Sequence, residues 1–468
     1  MNIHPMIIDG APRRTDRTEE VINPATEQPF ARVAAATEDD LERAIDAAAR
    51  AAAAWARDLP ARREAIRRCA AALEADIPEL ARLMVLEHGK PLSDARGEID
   101  SAVTWLRYYA DLPVEQEREL STDPAKRVTL VRSPVGITAA ITPWNFPVAL
   151  LVWKLAPAFL AGCTVVGKPS PFAPLTALAV AELFNRHLPP GVFNMITGGS
   201  EIGSALVSHP RVAKISFTGS VPTGKRIYES AAATLKRLNL ELGGNDAAIL
   251  LPDVDVEAVA PTIFWGANFC SGQICLAVKR VFVHADIHDR FVDAYTSYAK
   301  TVVIGDGLEP GTQLGPLNNA TLLHRVMGLV EDAQRRGGRV VLGGSRLDRT
   351  GYFYPPTVVT GCLPGMPLVE EEQFGTALPI LRYETVDQAV AMANDTRFGL
   401  AASVWTADVA AADSIARRLE TGTVWINTIF DNEPSSPFGG VKESGFGLEN
   451  GPWGLDEFTT LKVIRRAA

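Results

Sequence analysis

The chain has 468 residues, 47% hydrophobic and 22% charged, which is the balance of an ordinary soluble globular protein and excludes a disordered or fibrous one. Its 46 Lys and Arg against 55 Asp and Glu leave a formal net charge of -9, so no basic footprint points to nucleic acid. At roughly 150 residues per domain, the length calls for about three structural units.

The opening MNIHPMIIDGAPRRTDR has too short an apolar run and no small-residue cleavage site for a signal peptide, which predicts a cytoplasmic protein. From Thr37 to about Gly89 the chain is Ala-rich and helical. Thr37 is placed as an N-cap with Asp40 three residues on, and Pro60 separates two helices. A second helical pattern, from about Ser93 to Asp111, sets Val103, Leu106 and Tyr109 or Ala110 on one face. The polar stretch 117–128 interrupts the helices and reads as a hairpin leaving the first domain.

After Val128, short apolar segments alternate with helical ones: VTLV, GITAAIT, CTVVGK, FNMIT, KISFTG and AAILL. That is βα alternation on a parallel sheet whose strands are covered on both faces. Val148 to Val166 is long and apolar enough to suggest a membrane span, but Lys154, Pro157 and Gly162 inside it favour a buried helix followed by a strand. A second α/β set begins near residue 278 with RVFVHA, RVVLGG, LPILRY and TVWINT. The C-terminal FTTLKVIRR reads as an exposed strand, which calls for pairing with a neighbouring subunit.

Five cysteines, at 69, 163, 270, 275 and 362, are an odd number spread along a chain without a signal peptide, which argues against a disulfide framework. Cys270 and Cys275 lack the second Cys or His pair that a closed zinc site needs, so no metal is expected. Taken alone, Cys275 in NFCSGQICLA is either a small buried hydrophobe or a nucleophile. Gly272 favours the second reading by letting backbone approach a ligand and aim amides at an oxyanion, while Cys270 stays with the first.

Other segments carry similar ambiguities. In PWNFP, two prolines stiffen a turn in which Asn145 offers an uncharged donor suited to an oxyanion, or the turn is merely rigid. Glu241 in ELGGND ends a strand and is either a water-activating base or a solvated turn residue. Lys168 in KPSPF follows a strand where doubly wound sheets gather ligands. FTGSVPTGK places Gly219 and Ser220 at a strand end, with a helix behind them whose amides suit a pyrophosphate. No GxGxxG fingerprint accompanies it.

Together PWNFP, KPS, FTGS, ELGG, GQxC, EEQFG (371–375) and SPFGGVKESG (436–445) occur in the order found in the aldehyde dehydrogenase superfamily, which the chain resembles over nearly its whole length. The resemblance implies an α/β fold with a Rossmann-like cofactor domain (1–112 and 132–243), a catalytic domain (244–445) and a small β oligomerisation arm (113–131 and 446–468) that builds a homodimer or homotetramer. It implies oxidation of a small-molecule aldehyde to the acid with NAD or NADP through a Cys275 thiohemiacetal and thioester. Asn145 would hold the oxyanion, Glu241 would activate water, and Lys154 and Glu449 would serve it as a proton path and lie close together. The presence of Glu241 speaks against release of the acyl group to CoA.

By the same resemblance Trp144, Lys168, Ser170, Gly219, Ser220, Leu242, Glu372 and Phe374 bind the cofactor. Many NAD-preferring members carry a glutamate where Pro171 stands, which leaves NADP open. Phe146, Leu150, Trp153, Phe269, Ile274, Leu276 and Phe438 are expected to line an apolar access tunnel. No arginine occupies these positions, and Glu433, beside Asn432, would repel an acid, so a neutral aliphatic or aromatic aldehyde is the expected substrate. The alternatives are a semialdehyde dehydrogenase and a cofactor-independent thiol esterase.

Overall fold

Thr37 opens the first long helix as its neighbours demand. Its hydroxyl accepts from the Asp40 amide while the Asp40 carboxylate accepts from the Thr37 amide, which satisfies two donors that a helix start leaves open. The computed structural model, which describes residues 3–121 and 126–467, divides the Ala-rich region into Glu38–Arg57, Leu59–Ala75 and Ile77–His88. These are three helices where two were expected. Pro60 and Pro78 each lie in the first turn of the helix they open, where a missing N–H is harmless. Leu92–Asp111 follows and buries Val103, Leu106, Tyr109 and Ala110.

An eight-stranded sheet carries the first α/β unit. Its inner strands, Arg237–Glu241, Val212–Thr218, Ile137–Ile141, Thr164–Lys168 and Phe193–Met195, run parallel. The flanks are antiparallel: Met6–Ile8 and Ala11–Arg13 on one side, and Gly445–Phe446 on the other. Leu240 is paired with Phe446, so the end of the SPFGGVKESG motif reaches back across the fold to the strand that carries Glu241. Three other N-terminal strands, Ile3–His4, Thr18–Asn23 and Gln28–Ala34, form a sheet of their own.

The apolar stretch around Lys154 is the helix Ala149–Ala161, buried at every residue, followed by the strand Thr164–Lys168. No helix among the described residues is long and apolar enough to cross a membrane. A seven-stranded sheet carries the second unit, parallel except for the edge strand Arg339–Leu342. At its centre lie Asp246–Leu250 and Val278–His284, which flank the 269–277 loop in sequence.

The segment VTLV corrects the sequence reading. It belongs to Lys126–Pro134, which pairs antiparallel with Glu117–Glu119 and with Thr459–Ala467 in a separate three-stranded sheet. An apolar run states that a strand is covered but not which strand it joins. Residues 122–125, within the stretch read as a hairpin, lie outside the described residues.

Candidate active site

The 269–277 loop is held in an unusual backbone. Cys270, Ser271 and Gly272 follow one another at φ of 54°, 55° and 72°, and the left-handed region costs a non-glycine residue about 1–2 kcal/mol. Several buried bonds maintain it. Gln273 donates from Nε2 to the Cys270 carbonyl (2.9 Å) and accepts at Oε1 from the Asn318 amide (2.8 Å), and the Ser271 hydroxyl donates to the Gly315 carbonyl at 2.8 Å. Lys279, from the adjoining strand, donates to the carbonyls of Gly272 and Ile274 at 2.8 and 2.9 Å. Gly272 serves this packing: an added Cβ would strike the Gly375 carbonyl oxygen. Its close neighbour is therefore backbone and not a ligand, contrary to expectation.

The constrained loop puts Cys275 where two clefts meet. One, with about 1150 Å³ of empty volume open to solvent, is bounded by Trp144, Asn145, Gly219, Ser220, Leu242, Glu372 and Phe374. The other, about 1360 Å³, contains all seven residues expected of the tunnel: Phe146, Leu150, Trp153, Phe269, Ile274, Leu276 and Phe438. Both clefts share Cys275 and Thr218. Burial pushes the Cys275 thiol well above its ordinary value, and Glu372, Asp246 and Glu241 push the same way against Lys279. Cys270, by contrast, is sealed in the core with Sγ 3.7 Å from His88 Nε2.

Asn145 is buried, and its Nδ2 donates to the Gln273 carbonyl at 2.9 Å. An amide nitrogen carries two hydrogens, so one remains for another acceptor. Glu241, also buried, has both oxygens without a hydrogen-bond partner. Burial first, and then the nearby Glu449, hold its carboxyl well above the usual range, with Lys154 opposing. Lys154 Nζ lies 2.5 Å from Glu449 Oε1 and 2.7 Å from the Thr218 hydroxyl. The expected closeness of Lys154 and Glu449 is therefore present, although 295 residues separate them in sequence.

The first cleft suits a dinucleotide on its own features. The helix Val221–Ala232 begins at Ser220 with no side chain capping its amides, which leaves donors directed at the lining made by Gly219, Ser220 and Pro222. Trp144 and Phe374 meet edge to face, with centroids 5.5 Å apart. Glu372 accepts from the Gly244 amide at 3.2 Å, and its carboxyl is pushed up to about 7 by burial. Farther along, Lys168 shares a smaller cleft with Ser200, Gly203, Thr223 and Arg226, and burial lowers its ammonium to about 8. Ser170 is not among these lining residues. It caps a turn, its hydroxyl accepting from the Phe172 amide at 3.3 Å.

Several site residues escaped the sequence reading. Asp94, Glu98, Ser101, Trp105 and Phe430 line the second cleft. Trp105 stacks on Trp153 at 5.5 Å, and Phe438 meets the other side of Trp153. Glu433 does not line the cleft; the carboxylate that does so from an unforeseen element is Asp94, raised to about 6 by burial. The signal missed was helical periodicity, since Asp94, Glu98, Ser101 and Trp105 recur at three to four residues along Leu92–Asp111.

Comparison with known proteins bears on this geometry. The sequence pattern of the aldehyde dehydrogenase family matches residues 12–464. A peroxisomal aminoaldehyde dehydrogenase of Pisum sativum is 38% identical over 461 residues, covering 95% of this chain and 92% of that protein. The mitochondrial succinate-semialdehyde dehydrogenase of Arabidopsis thaliana is 39% identical over 394 residues, covering 82% and 74%. The crystal structure of betaine aldehyde dehydrogenase from Staphylococcus aureus in complex with NAD+ superposes with a TM-score of 0.97 at 34% identity, covering 99% of this chain and 95% of that one.

Proposed function

Because the chain belongs to the aldehyde dehydrogenase family, we propose that it oxidises an aldehyde to the carboxylic acid with NAD or NADP, using Cys275 as nucleophile. The observation that carries this reading is the position of one thiol at the junction of two clefts, one suited to a dinucleotide and one apolar.

The Cys275 thiol gives its proton to Glu241, which shares its cleft, as the sulfur attacks the carbonyl carbon: the S–H bond breaks, a C–S bond forms, and the carbonyl electron pair moves to oxygen. The free Nδ2 hydrogen of Asn145 and the Cys275 amide receive that oxyanion. A nicotinamide held between Trp144, Glu372 and Phe374 would supply the hydride acceptor for that carbon, and loss of the hydride leaves the Cys275 adduct as a thioester. Glu241 then takes a proton from water as it adds to the thioester, the C–S bond breaks, and acid and thiolate separate. Lys154, Glu449 and Thr218 form a buried polar chain along which that proton can leave. Residues 1–112 and 132–243 supply much of the cofactor side, joined there by Glu372 and Phe374 from 244–445, and 244–445 also supply the nucleophile.

Among the described residues, the lining of the second cleft has no Lys, Arg or His. This supports a neutral aliphatic or aromatic aldehyde and disfavours a semialdehyde carboxylate, which needs a cationic partner. Asp94 favours a second reading, an aldehyde bearing a distant amine, the kind of substrate named for the Pisum sativum relative. The cysteines are free thiols, as in a reducing compartment such as the cytoplasm.

The deciding experiment scans alkanals, benzaldehyde, an ω-aminoaldehyde and a semialdehyde with both cofactors, reading reduced-nicotinamide absorbance. Wild type should turn over at least one of them, and Cys275→Ala none. Ester hydrolysis with no cofactor-dependent oxidation of any aldehyde would make the protein a thiol esterase instead.

A further inference from the structure

Two buried charges outside the reacting groups grip the loop that presents Asn145. Lys90 and Glu98 have fully buried side chains and form an ion pair at 2.6 Å. Lys90 Nζ also donates to the backbone carbonyl of Asn145 at 2.7 Å and lies 4.1 Å over the Phe146 ring. The other oxygen of Glu98 accepts from the amides of Val148 (2.8 Å) and Ala149 (3.2 Å), where the helix bearing Lys154 begins. One ion pair thus holds PWNFP at its middle residue, Asn145, and just beyond its C-terminal end. A buried ion pair is a poor source of stability compared with apolar packing of the same volume, so its presence beside the site calls for another explanation.

We propose that Lys90 and Glu98 are positioning residues that hold the Asn145 amide in register with Cys275 for the oxyanion. The proposal rests on the assignment of Asn145 above. Without Lys90 the residue 145 carbonyl loses the one cationic donor it has among the described residues, the loop is free to rotate, and the Nδ2 hydrogen leaves the line of the developing charge. Misplacing a catalytic group by about 1 Å costs on the order of 100-fold in rate.

The test is a double-mutant cycle on the full-length enzyme with NAD, following the first-turnover burst of reduced cofactor. Lys90→Met should slow the burst about 10–100-fold, leave the KM for NAD within about twofold, and add less than about twofold when introduced into Asn145→Ala. Glu98→Gln keeps an acceptor for Val148 and Ala149 while removing the charge, and it reads the same cycle if Lys90→Met yields no folded protein. Losses that multiply fully in the Asn145→Ala background overturn the positioning role, as does a folded variant of either residue with an unchanged burst. An unchanged burst in Asn145→Ala alone is a different result: it sinks the oxyanion assignment itself.

Discussion

Burial and the nearby Glu449 bias Glu241 toward its uncharged form, and that has consequences of opposite sign for stability and rate. Its folded-state pKa lies well above that of an unfolded glutamate. The folded protein therefore binds the proton more tightly, and stability is lost as pH rises from the unfolded value through the folded one. Glu241→Gln should accordingly raise the melting temperature by about 2 °C or more at pH 8, with no gain near pH 4, in a calorimetric scan. The same variant should release acid at least about 100-fold more slowly, and in wild type acid release should fall as pH drops below the elevated pKa. Iodoacetamide labelling offers a second check at this scale: the Cys275 thiol is pushed up, so its alkylation rate should keep rising above pH 9. A plateau by pH 8 would contradict that. Most of these residues were legible because short motifs carry them, and the structure brings Cys275, Asn145, Glu241 and the seven residues expected of the tunnel to the walls of the two clefts. Lys90, Glu98 and Lys279 were not, since no motif frames them. Lys279 gave the same signal as Lys154, a lysine within an apolar run, ICLAVKRVFV.

The loop that carries Cys275 owes its shape to a turn that few side chains tolerate. Gly272 combines φ 72° with a carbonyl oxygen pressed against the position a Cβ would take. Gly272→Ala should destabilise the protein by about 1–3 kcal/mol and slow the first turnover, because Lys279 and Gln273 can no longer hold the neighbouring carbonyls where Asn145 expects them. Thermal melting and burst kinetics measure the two effects; a variant unchanged in both would remove the strain argument. The sequence identified Gly272 as special but misjudged what approaches it, because a glycine requirement states that space is short and not what fills it. The strand VTLV shows the same limit, its apolar run being equally compatible with the parallel sheet and with the antiparallel arm. Helix boundaries fared better, as the Thr37 and Asp40 pair is local and needs no distant partner.

At the scale of the whole molecule, Thr459–Ala467 pairs, among the described residues, on one side and exposes Leu461, Val463 and Ile464, an edge that proteins normally cover. If that edge is a subunit contact, as the sequence reading expects, deleting residues 459–468 should give a smaller species in light scattering, and an unchanged mass would contradict that contact. The proposed cofactor choice would also involve a second cleft, where Arg226 joins Lys168 in a lining that, among the described residues, contains no carboxylate. Arg226→Ala should cut kcat/KM for NADP about tenfold more than for NAD. The two clefts themselves were implied only through family motifs, since no local pattern states that segments near residues 94, 145, 241, 275 and 438 converge. What joins them is one sulfur. The most direct measurement quenches Glu241→Gln after a single turnover with NAD and an accepted aldehyde, then maps the acyl group by peptide mass spectrometry. The acyl mass should appear on the peptide containing Cys275, localised to that residue by fragmentation, with one reduced cofactor per acylated chain. An acyl group on Cys270, or reduced cofactor formed at the wild-type rate by Cys275→Ala, would contradict it.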